Sequence, residues 1–187
     1  MLSKNIQEII PKIQAYLKGL KARKFLLSLL GLMLALVANA QEPSAPHLTH
    51  ALTLHVKCSP AMEVGATSMG KRIVIPIVGG TFEGESLHGE VLPGGADYQL
   101  VDTLHNRTHL EAIYNIRTSD GVMIHVRNIG VLANPKLANG KQGFYFQSTP
   151  VFEAPLDSKY AWLNDAVFVC TPFFEKDTIG LKVWKVN

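Results

Sequence analysis

The chain has 187 residues, 18 basic against 15 acidic, a formal net charge of +3 and 47% hydrophobic residues. That apolar share excludes a disordered chain, and the length suits one domain large enough to bury a core without disulfide staples. The sequence pI near 8.9 would fit a nucleic-acid binder if the basic residues clustered in the folded part of the chain.

The first forty residues read as an address. Ile6, Ile9, Ile10, Ile13 and Leu17 recur at helical spacing, which fits an amphipathic helix or a stretch upstream of the true start. Lys21, Arg23 and Lys24 then precede the uncharged run Phe25–Val37, and Ala38-Asn39-Ala40 follows. A basic flank, a short apolar run and an A-x-A site make a secretory signal peptide over residues 1–40, cleaved after Ala40. The alternative is an uncleaved anchor, although the run is short against the ~20 residues that a spanning helix needs. The expected location is periplasmic or secreted, with membrane contact only through an uncleaved signal segment. Six of the 18 basic residues and one of the 15 acids lie in residues 1–40, so the remainder holds 12 against 14, a net of −2. No Lys/Arg patch is left there, and nucleic-acid binding is not expected.

Residues 41–50 read as a linker and 51–187 as the folded domain. Apolar-rich runs follow at Ala51–Cys58, Arg72–Val78, Leu87–Leu92, Asp97–Leu104, Leu110–Thr118, Val122–Arg127, Phe144–Ser148, Tyr160–Cys170 and Gly180–Val186. Gly79-Gly80, Pro93-Gly94-Gly95 and His105-Asn106-Arg107 punctuate them; Asn134–Gln142 fits a short helix or a loop. Short strands at this spacing predict an antiparallel sandwich or barrel. Asp120-Gly121 predicts a two-residue type I′ hairpin, which would pair Arg117 with Ile124, Tyr114 with Arg127 and Ile113 with Asn128. In that register both faces mix apolar and polar side chains. The mixture favours a barrel with a partly polar lumen over a sandwich wall.

Cys58 and Cys170 end two strand-like runs. Export permits a bridge between them, and two buried free thiols are the equal alternative.

The run Pro76-Ile77-Val78-Gly79-Gly80-Thr81-Phe82-Glu83-Gly84, followed by Val91-Leu92-Pro93-Gly94-Gly95-Ala96-Asp97-Tyr98-Gln99, resembles domain of unknown function family 3237. Ala112-Ile113-Tyr114, Ser119-Asp120-Gly121, Asn128-Ile129-Gly130, Phe152-Glu153 and Tyr160-Ala161-Trp162-Leu163-Asn164 continue the resemblance in order. It covers about Leu52 to Val186. The resemblance implies a single-domain β-barrel with a central cavity and no established reaction. The family's usual Trp is replaced by Tyr98 and its usual Arg by Gln147, which removes a cationic fork for anions. Members usually lack a leader, so a cytosolic role of relatives would not carry over.

Several side chains are candidates for chemistry. Asp97, on a glycine-rich turn, can serve as a general base, with Gln99 two residues on and on the same strand face to orient a substrate. The plainer reading is an Asp that caps its own turn. Tyr114 and Arg117 can polarise a carbonyl or hold an enolate, and Asn128 lies on the partner strand. Solvated strand positions or a cation–π pair are the plainer account of Tyr114 and its neighbours. Glu111 and Glu153 are carboxylates in partly apolar settings; Trp162 and Asn164 fit an aromatic wall and a polar anchor, with core packing the simpler account of Trp162. The histidines form no recognised zinc motif, and neither a phosphate loop nor a serine nucleophile elbow is present, so no metal and no cofactor is expected.

These observations predict an all-β fold: one antiparallel β-barrel with a central cavity, preceded by a signal peptide. The expected role is binding of a small, partly apolar organic molecule, with acid–base isomerase, cyclase or lyase chemistry carried by Asp97, Tyr114 and Arg117. A non-catalytic periplasmic carrier and an envelope scaffold are the alternatives. A cavity with converging polar groups would favour the first, a purely apolar one the carrier.

Overall fold

Alternation along the strands decides which side chains go inward. A computed structural model describes residues 11–12, 14–20, 23–24 and 44–187; the three short stretches are helical, and the rest is almost entirely strand and turn. The apolar run Phe25–Val37 and the cleavage site after Ala40 lie outside the described residues. The chain divides into two units, Met1–Ala45 and Pro46–Asn187, and the strands among the described residues lie in the second. No helix among the described residues is long and apolar enough to cross a membrane.

The strands are β1 (Leu48–Cys58), β2 (Met62–Thr67), β3 (Gly70–Glu83), β4 (His88–Val91), β5 (Gly95–Asp102), β6 (Arg107–Thr118), β7 (Met123–Ala133), β8 (Tyr145–Glu153), β9 (Phe168–Phe174) and β10 (Ile179–Val186). All pairings are antiparallel, and β1 closes the ring by pairing with both β10 and β3. Ten strands make eight staves. β1 and β2 lie in succession against β3. β4 and β5 lie in succession between β3 and β6, interrupted at Leu92–Gly94. The result is an up-and-down barrel, a closed form with few exposed sheet edges.

On β6 the inward set is Leu110, Ala112, Tyr114 and Ile116; on β7 it is Ile124, Val126, Asn128 and Gly130. This is one residue away from the register expected from a two-residue turn. The observed pairs are Arg117↔Met123, Ile116↔Ile124, Tyr114↔Val126 and Ala112↔Asn128. The connection is a three-residue loop, Ser119-Asp120-Gly121, with Gly121 at φ 89. Gly121 N–H donates to Thr118 O at 2.8 Å, and Thr118 N–H donates to Val122 O at 3.0 Å. The Thr118 hydroxyl receives Val122 N–H at 2.9 Å, and Asp120 accepts the Tyr160 hydroxyl at 2.9 Å. A turn followed by a left-handed glycine is the usual three-residue hairpin. A one-residue slip exchanges the faces of a strand, so the mixed faces expected from the sequence resolve into a mostly apolar inside and a charged outside. Gly121→Ala is expected to cost about 1–2 kcal/mol, because an L side chain at that φ is strained. Denaturant unfolding of the variant checks this; an unchanged midpoint would show that the loop relaxes.

Other boundaries also differ from the sequence reading. β1 starts at Leu48, inside the expected linker, and His47 and Asn187 exchange backbone hydrogen bonds at 3.1 and 2.9 Å. β2 was not expected: its residues are exposed or half-buried and show no apolar alternation. The run Tyr160–Cys170 is not one strand but a 3-10 turn, Ala161–Asp165, followed by β9. The segment Asn134–Gln142 is a loop, closed by Leu137 N–H donating to Lys141 O at 2.9 Å. Cys58 and Cys170 are free thiols. They stand on β1 and β9 with β10 between them. Two strand spacings, roughly 9–10 Å, exceed the reach of a disulfide.

Candidate functional site

One end of the barrel is full. Phe152 and Phe168 meet edge to face at 5.0 Å, and Leu52, Ile116, Ile124 and Leu163 are buried with them. The exposed Asn164 side chain ties the 3-10 turn across this end: it accepts Ala154 N–H at 2.8 Å and donates to Ala154 O at 3.0 Å. Trp162 rests on Phe168 with ring centroids 6.0 Å apart. Trp162 and Asn164, expected to line a pocket, therefore build the closed end.

Farther from the hairpin turn the interior opens into a cavity of about 80 Å³. The register shows why. Asp97 stands opposite Ala112, and Ala112 opposite Asn128, so three staves share one rung whose middle side chain is a single methyl. Gly130 and Ser148 face each other two residues farther along β7, again without bulk. Tyr114, Phe146, Val56, Leu110 and Leu181 supply much of the apolar wall.

Asp97 is half-buried on this wall. Its Oδ2 accepts Gln99 Nε2–H at 2.7 Å, and its Oδ1 accepts the backbone N–H of Glu111 at 3.2 Å. Burial pushes its carboxyl above the ordinary range, and these two donors only partly oppose the rise. Tyr114 is 2% exposed. Burial, with the thiols of Cys170 and Cys58 nearby, pushes its phenol well above the usual value, so it stays protonated. Burial and the Asp97 carboxylate likewise push the Cys58 thiol up. Cys170 is pushed up to about 11 by burial; the Ser148 hydroxyl opposite it on β8 opposes the rise, although its geometry falls short of a hydrogen bond.

Asn128 and Ser148 are the conspicuous groups. They are 6% and 7% exposed. Asn128 Oδ1 and Ser148 Oγ both lack a hydrogen-bond partner. A buried, unsatisfied polar atom costs about 1–3 kcal/mol, so two on one wall call for a reason. Ser148→Ala is accordingly expected to leave folding stability unchanged or raise it by up to about 1 kcal/mol. A loss larger than that in denaturant unfolding would show that the hydroxyl is already satisfied.

The structure thus brings together Asp97, Gln99, Tyr114 and Asn128 among the expected site residues. It does not bring Arg117, which lies on the outer face and donates from Nε to Glu90 Oε1 at 2.9 Å. Odd residues of β6 face away from the core, and the observed register pairs them with the odd residues of β7. The Glu111 carboxylate also faces out, paired with Arg127 Nη2 at 2.7 Å; only its backbone N–H serves the site. Glu153 is exposed next to the buried Phe152 and opposite His125. Gln147 is outside as well, accepting the Thr171 hydroxyl at 2.8 Å. A side chain at this position therefore does not reach the cavity. Ser148 was missed, yet the alternation Phe146, Ser148, Pro150, Phe152 marks it as an inward polar residue in an apolar row.

The described residues contain no group of three or more His, Cys, Asp or Glu that could hold a metal ion. His55 is turned to Glu175 at 2.9 Å and His105 to Asp102 at 2.8 Å.

Fold and site together define a small antiparallel barrel with a polar cluster inside. The chain belongs to the family described as protein of unknown function, DUF3237, whose model matches residues 46–186. It is 32% identical over 146 residues to a UPF0311 protein of Rhodopseudomonas palustris, covering 73% of this chain and 94% of that one. It is 33% identical over 128 residues to a UPF0311 protein of Clostridium acetobutylicum, covering 64% and 80%. Among solved structures it resembles a β-barrel-like protein of Acinetobacter baumannii AYE, with TM-score 0.70, 33% identity and coverage of 78% and 99%. An enzyme from Penicillium herquei matches with TM-score 0.62 over 79% and 99%; at 22% identity the likeness is one of fold.

Proposed function

We propose that this protein is an exported barrel that binds a small, partly apolar organic molecule in its interior and transforms it by acid–base chemistry of the isomerase, cyclase or lyase type. The observation that carries the reading is the pair of buried, unpartnered oxygens, Asn128 Oδ1 and Ser148 Oγ, on the wall that also holds Asp97. A purely apolar cavity would have favoured a carrier.

Asp97 is the base. A carboxyl raised above its ordinary value is a better proton acceptor when ionised, which suits a carbon or hydroxyl acid. Gln99 and the Glu111 N–H hold the carboxylate in place. Tyr114, protonated throughout the working range, donates to the oxygen on which charge develops. Asn128 and Ser148 orient the polar end, and the apolar wall takes the rest. Arg117 has no part. The Penicillium herquei neighbour is described as an enzyme, so the same barrel supports catalysis elsewhere.

Native mass spectrometry of the protein recovered from the periplasm tests both halves of the reading. A chain beginning at Gln41 with a small organic species bound is the expected result. A full-length chain retained in the cytoplasm would overturn the export. A ligand-free spectrum would overturn the binding, and a bound species that a Ser148→Leu variant retains would overturn the cavity as its site.

A further inference from the structure

The polar groups on the cavity wall share one deficiency. The wall's side-chain oxygens belong to Asp97, Asn128, Ser148 and Tyr114, and the lining contains no Lys, Arg or His. The other titratable groups facing the cavity are Cys58 and Tyr114, neither of which can supply positive charge. The Asp97 carboxylate receives only two neutral donors, Gln99 Nε2–H and the Glu111 N–H. Asn128 Oδ1 and Ser148 Oγ receive none. A carboxylate in an apolar cavity without a counter-charge is unfavourable, and so is each unmatched acceptor. Asn128, Ser148 and Tyr114 carry N–H and O–H donors of their own, so what the lining lacks is a positive charge beside Asp97. Aromatic rings add to this. Phe146 is on the wall, with Phe174 at 5.8 Å and Phe144 at 6.3 Å between centroids, and ring faces attract cations as well as apolar groups.

We infer that the ligand enters with a protonated primary amine as its polar end, held by Asp97, Asn128 and Ser148, and with its apolar body along Leu110, Leu181 and Phe146. An alkylammonium carries three N–H donors on one atom and no acceptor, which matches three oxygens. A hydroxyl brings one donor. A carboxylate or phosphate brings only acceptors and a charge that Asp97 repels. The inference rests on the reading of the cavity as a ligand site, and it does not require Asp97 to act as a base.

Three probes of similar size separate these cases: 2-phenylethylammonium, 2-phenylethanol and phenylacetate, each titrated into the protein at neutral pH and followed by NMR shifts. The ammonium is expected to bind at least about tenfold more tightly than the alcohol, since bonds to a charged partner are roughly twice as strong as neutral ones. Phenylacetate is expected not to bind. Asp97→Asn should abolish the preference while keeping the alcohol, and Ser148→Ala, a smaller and fold-compatible change, should reduce ammonium affinity several-fold. Equal binding of alcohol and ammonium overturns the amine and leaves the cavity as a ligand site. An ammonium preference untouched by Asp97→Asn also overturns it. Failure of all three probes to bind overturns both.

Discussion

Phe152→Ala is expected to lower folding stability by about 3–5 kcal/mol, the cost of deleting a buried aromatic side chain. Phe152 is 2% exposed and meets Phe168 edge to face at 5.0 Å in the filled end of the barrel. The walls around it are hydrogen-bonded strands that close on themselves, so they have little freedom to collapse into the void. A loss of this size is a large share of the ~5–15 kcal/mol that holds a typical domain together. Denaturant unfolding of the full chain measures it, and a loss below about 1 kcal/mol would show that the plugged end repacks. The cavity around Asp97 should respond little, because Phe152 does not line it.

Asp97→Asn is expected to act in opposite senses on stability and on turnover. The folded state raises the carboxyl above its ordinary 3.8, chiefly by burial, so folding favours the protonated form. The folded state then binds more protons than the unfolded state between 3.8 and the folded value. Stability therefore falls as pH rises through that window and stays lower at neutral pH. The neutral amide removes this penalty. Gln99, whose side-chain amide can turn over, still offers a partner to the new group. The variant is expected to be at least as stable as the native chain at neutral pH and to have lost that acid-range slope. With a substrate in hand, turnover should drop about 10²–10⁴-fold, the range for loss of a general base, with binding of a neutral ligand retained. In the native protein the rate should rise with pH through the Asp97 pKa. A variant that is less stable at neutral pH would show that the carboxylate is satisfied by something other than Gln99 and Glu111. Unchanged turnover would remove Asp97 as the base.

Much of the strand inventory is legible in the residues. Leu52, Leu54 and Val56 alternate on β1, and Leu110, Tyr114 and Ile116 on β6; this two-residue period is a property of the chain. β2 escaped because an outer strand segment with exposed side chains carries no such period. Asp97, in β5 just after the glycine-rich turn, is legible as a candidate, and so is Tyr114. Arg117 lies one face over from Tyr114 in either register; a two-residue loop mixes both faces and leaves open which one lines the barrel, whereas the three-residue loop pairs apolar with apolar. Thr118 decides this locally, through a hydroxyl that accepts Val122 N–H. A single residue of register then moves each side chain across the wall.

The sequence by itself determined the all-β class, the alternation, the family and the change in charge from a basic start to a slightly acidic remainder. These are local or compositional properties, and folding does not alter them. Only the tertiary structure decided which polar side chains share an interior. Asp97, Asn128 and Ser148 lie on three different staves, and ring closure brings them to one cavity. It also decided that Cys58 and Cys170 stay apart, because β10 runs between their strands. Contact across a barrel depends on stave order and register. Those are set by the sum of many pairings, so no short stretch of sequence carries them.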